Sequence, residues 1–196
     1  MPPATEPYML TRDEGQPIWF LGTLMLLKAT GERNGQTFSL IEQVLPPGFA
    51  PPLHVHHAED EAFYILEGAL TFVCGERRWH ASAGSFVYLP KEIPHGFLVE
   101  DGAQARLLQF TVPAGLEHFH VEMGEPAHSL TIPPPTPPDM VKMQALARNI
   151  ISMSSAHHSA TSERHAKACA LHVKSMPDAV YGVRHARSLF SAARGM

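Results

Sequence analysis

A chain of 196 residues, 44% hydrophobic and 17% charged, can hold one domain with a full core, or one domain and a tail. Its formal charge of −4 offers no general attraction for nucleic acid, and its two cysteines, Cys74 and Cys169, make no disulfide framework. The apolar run Ile18 to Leu27 is too short to span a bilayer. Residues 1–17 carry Pro, Glu and Asp rather than an apolar signal core. A cytoplasmic protein with no membrane partner is expected.

In chain order, residues 1–17 read as an irregular arm. Strand patterns follow at Ile18 to Gly22 and Leu24 to Ala29, closed by the turn signal Thr30-Gly31-Glu32-Arg33-Asn34-Gly35. Phe38, Leu40 and Val44 alternate through the next strand, and Pro46-Pro47-Gly48 stops it. Further short strands are predicted at Ala69 to Cys74, Arg77 to Ala81, Phe86 to Leu89, Gly96 to Val99 and Ala105 to Val112, separated by Gly-containing turns. Even spacing of short strands argues for an all-β sandwich or barrel over residues 18–130. Cys74 lies in an apolar strand and reads as a small buried residue. After Pro113, the stretch Ala114 to Phe119 starts a short helix that Gly124-Glu125-Pro126 closes.

Between these strands lies the stretch that carries chemistry. His54 and His56 are two apart, so an extended chain points both imidazoles to one side. Glu61 heads the next strand, where it shares a face with Phe63 and Ile65. A carboxylate among apolar neighbours needs a partner, and a divalent cation is one. With 13 histidines in the chain, an isolated His-x-His says little. The second stretch, Gly84-Ser-Phe-Val-Tyr-Leu-Pro90-Lys-Glu-Ile-Pro94-His95, adds a third imidazole just after a Pro-bounded turn. His54, His56, Glu61 and His95 form the expected metal set, and neutral imidazole is a common metal ligand.

These two stretches resemble the motifs of the cupin superfamily. Gly48, His54, His56, Glu61 and Gly68 fill the first motif, G-x5-H-x-H-x3-4-E-x6-G. Gly84, Pro90 and His95 fill the second, with Glu92 where Gly is usual and Val99 where Asn is usual. The resemblance covers about residues 36–112 and implies a jelly-roll β-barrel. The stretch Pro113-Ala-Gly…Glu117-His118-Phe119…Gly124-Glu-Pro-Ala127 is similar to the segment following the barrel in quercetin 2,3-dioxygenase-like cupins, where short helices pack outside the barrel. Cupin barrels often pair through edge strands and swapped arms, so the resemblance leaves a homodimer open.

Residues 131–150 combine the extended spacer Pro133-Pro134-Pro135-Thr136-Pro137-Pro138 with a helix that Asp139 caps and Met143, Leu146, Ala147 and Ile150 pattern. Residues 151–196 form a basic, His-rich tail. Seven Lys or Arg against two acidic residues make the stretch 148–196 +5, while residues 1–147 carry −9. Three readings stand for it: a basic arm for an anionic partner, a second metal site at His157, His158, His165 and His172, or a poorly ordered tail too short of apolar residues to fold. The last is the simplest.

Three imidazoles and one carboxylate leave a divalent metal (Fe, Ni, Co, Mn, Cu or Zn) with net positive charge and open positions. Such a centre favours anionic oxygen ligands. Phe63, Ile65, Phe72, Phe86, Tyr88, Phe97 and Phe110 are the bulky wall candidates, and strand parity lets only some of them face inward. As a set they suit a planar organic substrate, and the absence of a Lys/Arg cluster in the motifs speaks against a phosphorylated one. The cupin resemblance implies a dioxygenase using O2 on a flavonol-like substrate, with Glu61 as both ligand and base. The competing readings are a binding module without turnover and a metal-dependent isomerase or hydrolase. Glu59, Glu92 and Tyr88 are the polar groups nearest the motifs that could anchor a substrate.

Overall fold

The structure is a computed structural model and describes residues 6–135 and 141–142. The chain falls into two units, Met1–Pro138 and Asp139–Met196, and of the second only Val141 and Lys142 are described. The helix expected after Asp139 and the His-rich tail lie outside the described residues.

Strand β1 (Gln16–Phe20) pairs with β2 (Thr23–Ala29) through the two-residue turn Leu21-Gly22, both at positive φ. That is the hairpin geometry that strand twist favours. The predicted turn after Ala29 is a single helical turn, α1 (Gly31–Asn34), closed by Gly35 in the left-handed region. Then come β3 (Ser39–Leu45), β4 (Asp60–Glu67), β5 (Ala69–Cys74), β6 (Arg77–Ser82), β7 (Phe86–Leu89), β8 (His95–Val99) and β9 (Ala105–Val112). Helix α2 (Leu116–Met123) follows, and β10 (Glu125–Pro126) returns to β1.

All pairings are antiparallel. Seven strands form one sheet in the order β10-β1-β2-β3-β9-β4-β7, and three form the other in the order β6-β5-β8. This is the expected all-β jelly roll. Gly68 shows why the β4–β5 corner requires glycine. Its φ is +80°, and a Cβ there would sit 2.8 Å from the Gln104 carbonyl oxygen and 2.9 Å from Ala105 Cα.

The main core lies between the sheets and includes Leu45, Phe63, Ile65, Leu70, Phe72, Leu89, Phe97, Val99 and Leu107. Phe63, Phe72 and Phe97 touch one another with ring centroids 5.3–5.6 Å apart. A second cluster, Ile18, Phe20, Met25, Leu27 and Ile41, packs against Phe119 and Met123 of α2. Among the described residues, no helix is long and apolar enough to cross a membrane.

Two expectations about strand faces are corrected. In β3 it is Ser39, Ile41, Gln43 and Leu45 that alternate into the interior, while Leu40 and Val44 are only half-buried. Apolar alternation misleads here because two of the inward positions are polar and bonded inside. Of the wall candidates, Phe63, Ile65, Phe72 and Phe97 are buried, whereas Phe86 is 63% and Tyr88 51% exposed. Their register opposite Tyr64 and Ala62 of β4 places both on the outer face of the sheet. Phe110, paired with Leu40 and Ala62, shares that face and is half-buried.

Candidate metal centre

The chain between β3 and β4 brings the first two histidines to the second motif. It runs beside β8, with Gly48 N–H donating to Val99 O (3.1 Å) and Val99 N–H to Phe49 O (2.9 Å). At the other end of β8, His54 and His95 exchange backbone hydrogen bonds of 3.0 and 2.9 Å. Glu92 N–H donates to His56 O at 2.8 Å. Glu61 enters from β4, where it faces the interior with Phe63 and Ile65.

One donor atom from each of His54, His56, Glu61 and His95 lies within 4.8 Å of the others. The three ring centroids are 4.7–5.2 Å apart. His95 Nε2 is 3.4 Å from Glu61 Oε2, and His56 Nε2 is 3.9 Å from Glu61 Oε1. The structure thus brings together all four residues that the sequence singled out.

Backbone carbonyls set two of the tautomers. His54 Nδ1 lies 2.8 Å from Pro52 O, and His95 Nδ1 lies 2.8 Å from Ile93 O. A carbonyl can only accept, so each Nδ1 carries the proton and each neutral ring presents a bare Nε2 lone pair. Nε2 of His56 and of His95 is fully buried without a hydrogen-bond partner. A lone pair on His95 Nε2 aimed at a carboxylate oxygen is acceptor against acceptor. Only a cation between them, either a proton or a metal ion, makes the arrangement favourable. Four such donors converging on one point fit a divalent metal.

The electrostatics agree with a set of bare ligands. Burial lowers the pKa of His54, and it lowers that of His56 to about 3, against the opposing pull of Glu61. Burial alone would raise Glu61, but the close approach of His95 and then of the other two imidazoles holds it down to about 2. Glu61 is therefore anionic at neutral pH.

Several groups around the cluster escaped sequence reasoning. Gln109 of β9 donates through Nε2 to Glu61 Oε1, and Gln43 of β3 donates through Nε2 to Gln109 Oε1. Beside them, the hydroxyls of Ser39 and Thr111 bond to each other. This chain fixes one oxygen of Glu61, as partners of metal ligands commonly do. The only advance signal was polar residues alternating with apolar ones in β3 and β9. Glu117 of α2 is buried, and its two oxygens accept from Gly31 N–H (2.8 Å) and Gly115 N–H (2.7 Å), which ties α2 to α1. His120, also on α2, is buried against Phe20 with ring centroids 4.8 Å apart.

The three anchor candidates fare differently. Glu59 is half-buried, with its carboxyl raised by burial and by Glu117. Tyr88 faces outward. Glu92 occupies the position where the cupin motif carries Gly, and it adopts φ +65°, the left-handed conformation that Gly would supply. Its exposed carboxylate accepts from His57 Nδ1 at 3.1 Å.

A cupin domain model matches residues 41–110. Over 134 residues the chain is 26% identical to quercetin 2,3-dioxygenase of Bacillus subtilis, which covers 68% of this chain and 40% of that protein. An uncharacterised protein of Methanocaldococcus jannaschii is 33% identical over 62 residues, 32% of this chain and 50% of the relative. The chain thus spans half or less of the length of these curated relatives. Among solved structures, an RmlC-like cupin from Shewanella frigidimarina aligns with a TM-score of 0.49 and 14% identity, over 59% of this chain and 99% of that one.

Proposed function

We propose that this chain, which belongs to the cupin superfamily, is a metal-dependent dioxygenase acting on a flavonol-like or other enolisable aromatic substrate, with O2 as co-substrate. The reading rests on one observation: three imidazoles with bare or unpartnered Nε2 atoms converge on a buried, anionic Glu61. The similarity to a quercetin 2,3-dioxygenase supports the substrate class. His54, His56, His95 and Glu61 would hold the metal. Bound there, a divalent transition metal would supply Lewis acidity toward an anionic oxygen ligand and, for a redox-active ion, a centre for O2 chemistry.

The residues of the chain do the rest. Gln109 holds Oε1 of Glu61, which leaves Oε2 as the oxygen that takes the substrate's hydroxyl proton. Pro52 and Ile93 carbonyls keep His54 and His95 from turning away. Glu61 and His95 are buried and His54 and His56 half-buried, which limits water at the cluster and protects an electron-rich anion from reprotonation. We place the protein in the cytoplasm and leave pairing into a homodimer as part of the proposal.

Metal analysis followed by anaerobic addition of a flavonol tests the reading. The absorption band of the flavonol should shift to that of its anion, and admission of O2 should bleach it with O2 uptake. Protein loaded in turn with iron, nickel, cobalt, manganese, copper and zinc that neither binds a flavonol or catechol nor consumes O2 refutes it.

A further inference from the structure

Phe86 and Tyr88 are bulky, exposed and unused by the metal centre, and the strand that carries them, β7, ends the seven-stranded sheet. Apolar residues scattered singly over a surface need no explanation. These are not scattered. The register strings them into two rows across the outer face of β7, β4, β9 and β3: Phe86, Tyr64, Leu108 and Glu42 in one, Tyr88, Ala62, Phe110 and Leu40 in the other. Phe86, Tyr88 and Tyr64 are 41–63% exposed, so at about 200 Å2 for a whole aromatic side chain the three leave about 300 Å2 in water. At the β3 end the rows run into a hollow of about 390 Å3, whose apolar walls include Phe38, Leu40 and Leu108. The N-terminal arm borders it, held by Tyr8 O–H to Lys28 O (3.0 Å) and by Lys28 Nζ, which donates to the carbonyls of Thr11, Arg12 and Glu14.

We infer that this face is where two copies of the chain pair about a two-fold axis, with Phe86 and Tyr88 of each copy seated in the hollow of the other. The inference rests on the pairing proposed above and takes nothing from the dioxygenase reading. Projection and hollow lie on one face, two to three strands or about 10–14 Å apart. A two-fold axis between them sets each projection over the other copy's hollow, a self-complementary contact that closes at two chains. The three rings supply over a third of the roughly 800 Å2 that a stable pair needs from each partner. Exposed Val112, next along the same face of β9, and the walls of the hollow add to it. The charges flanking the rows point to the same occupant. Lys28, Glu42, Arg106, Glu67 and Arg12 are paired with one another inside the chain, so a second copy meets no one-signed field and a strongly charged partner finds nothing to hold. Lys28 Nζ is already spent on the arm, which leaves the hollow suited to apolar side chains.

Sedimentation velocity of the full chain tests the pairing without metal or flavonol, so this inference and the dioxygenase fail separately. The unaltered chain should be a dimer at about 100 μM. Phe86→Ser removes the projection and Leu108→Arg obstructs the hollow. Each should weaken pairing more than about tenfold while circular dichroism stays that of the folded barrel. Trp79→Ser, at a partly exposed ring on the three-stranded sheet, should leave pairing as it was. An equimolar mixture of the Phe86→Ser and Leu108→Arg chains should regain part of the lost affinity, because one of the two contacts between unlike chains is then whole. Should Leu108→Arg fail to fold, Phe86→Ser decides alone, since its side chain is mostly in water already. A monomeric unaltered chain overturns the inference. So does a dimer that Phe86→Ser leaves intact, one that Trp79→Ser breaks as readily, or a mixture of folded variants that pairs no better than either alone.

Discussion

The two ends of the barrel interior are built from the same strands and buried to the same depth, yet their chemistry is opposite. At one end Leu45, Ile65, Leu70, Val99, Ala105 and Leu107 are 0–1% exposed and entirely apolar. Toward the other, Ser39, Glu61, His95 and Thr111 are 1–3% exposed and polar, and between them polar and apolar residues share rungs, Gln43 opposite Leu107 and Gln109 opposite Ile41. The register shows the change along single ladders: Leu45 faces Ala105, while Ser39 faces Thr111 at the far end of the same pairing. The apolar end lowers the free energy of the fold by burial. The polar end is tolerable only where each group finds a partner, and its side chains do so except at the ring nitrogens left for a ligand. The interior thus grades from apolar to polar along the strands, with mixed rungs between.

The largest expected effects test that gradient directly. Phe63→Ala, which opens a cavity in the apolar end, should cost about 3–5 kcal/mol in denaturant unfolding. Metal stoichiometry at low temperature should hardly change. His95→Ala should do the reverse, lowering metal affinity more than about 100-fold while circular dichroism stays that of the folded barrel. A Phe63→Ala protein that is as stable as its parent but devoid of metal would show the two ends to be one unit.

A second test uses pH on the metal-free protein. His56 and His120 have ordinary values of 6.5 and folded values of about 3 and about 4. Below pH 6.5 the unfolded chain therefore takes up protons that the folded chain refuses. Stability should fall as pH drops through this window, by up to about 1.4 kcal/mol per pH unit for each histidine. Glu61, held to about 2, adds to the loss below its ordinary 4.5, where only the unfolded carboxyl protonates. Melting temperatures from pH 7.5 to 4.5 give the slope. His120→Asn should flatten it, whereas Phe63→Leu should lower every point alike.

Gln109→Leu sharpens the comparison at the boundary between the ends. It removes the donor that fixes Glu61 Oε1 and strands the Gln43 amide. Metal affinity should fall about 10- to 100-fold by titration against a chelator, the usual size for a lost partner of a ligand. An unchanged affinity would mean that Glu61 is oriented by the imidazoles alone.

How far this division was legible follows from the same residues. The donors His54, His56, Glu61 and His95 stood out because metal ligation needs few residue types at fixed spacing. The strands Ala69–Cys74, Phe86–Leu89 and Ala105–Val112 were bounded by turn residues that fix their ends. The inward face of β3 was misread because hydrophobic alternation presumes an apolar interior, and Ser39 and Gln43 point into a polar one. Phe86 and Tyr88 were wall candidates by size, yet side-chain size says nothing of which sheet face a residue takes. Gln109 had only the polar–apolar alternation of β9 to mark it, and Glu117 and His120 had no local signature. Their roles depend on partners 48 to 86 residues away, or on a helix laid beside the site after the motifs end.

The smallest effect concerns the rim, where the sequence departs from its family. Glu92 holds φ +65°, a conformation that costs a residue with a Cβ about 1–2 kcal/mol and a glycine nearly nothing. Against that stands the carboxylate–His57 contact at 3.1 Å, exposed on the Glu92 side and worth at most about 1 kcal/mol. Glycine also gains freedom in the unfolded chain, which offsets part of the relief. The terms nearly cancel, so Glu92→Gly should change stability by less than about 1 kcal/mol. The Glu92 N–H to His56 O bond is a backbone bond and survives the exchange. Metal affinity should therefore hold, because His56 keeps its tether while only His57 is freed. A Glu92→Gly protein that loses metal would instead make the His57 ring part of what holds His56 in place, and the polar end would extend to the rim.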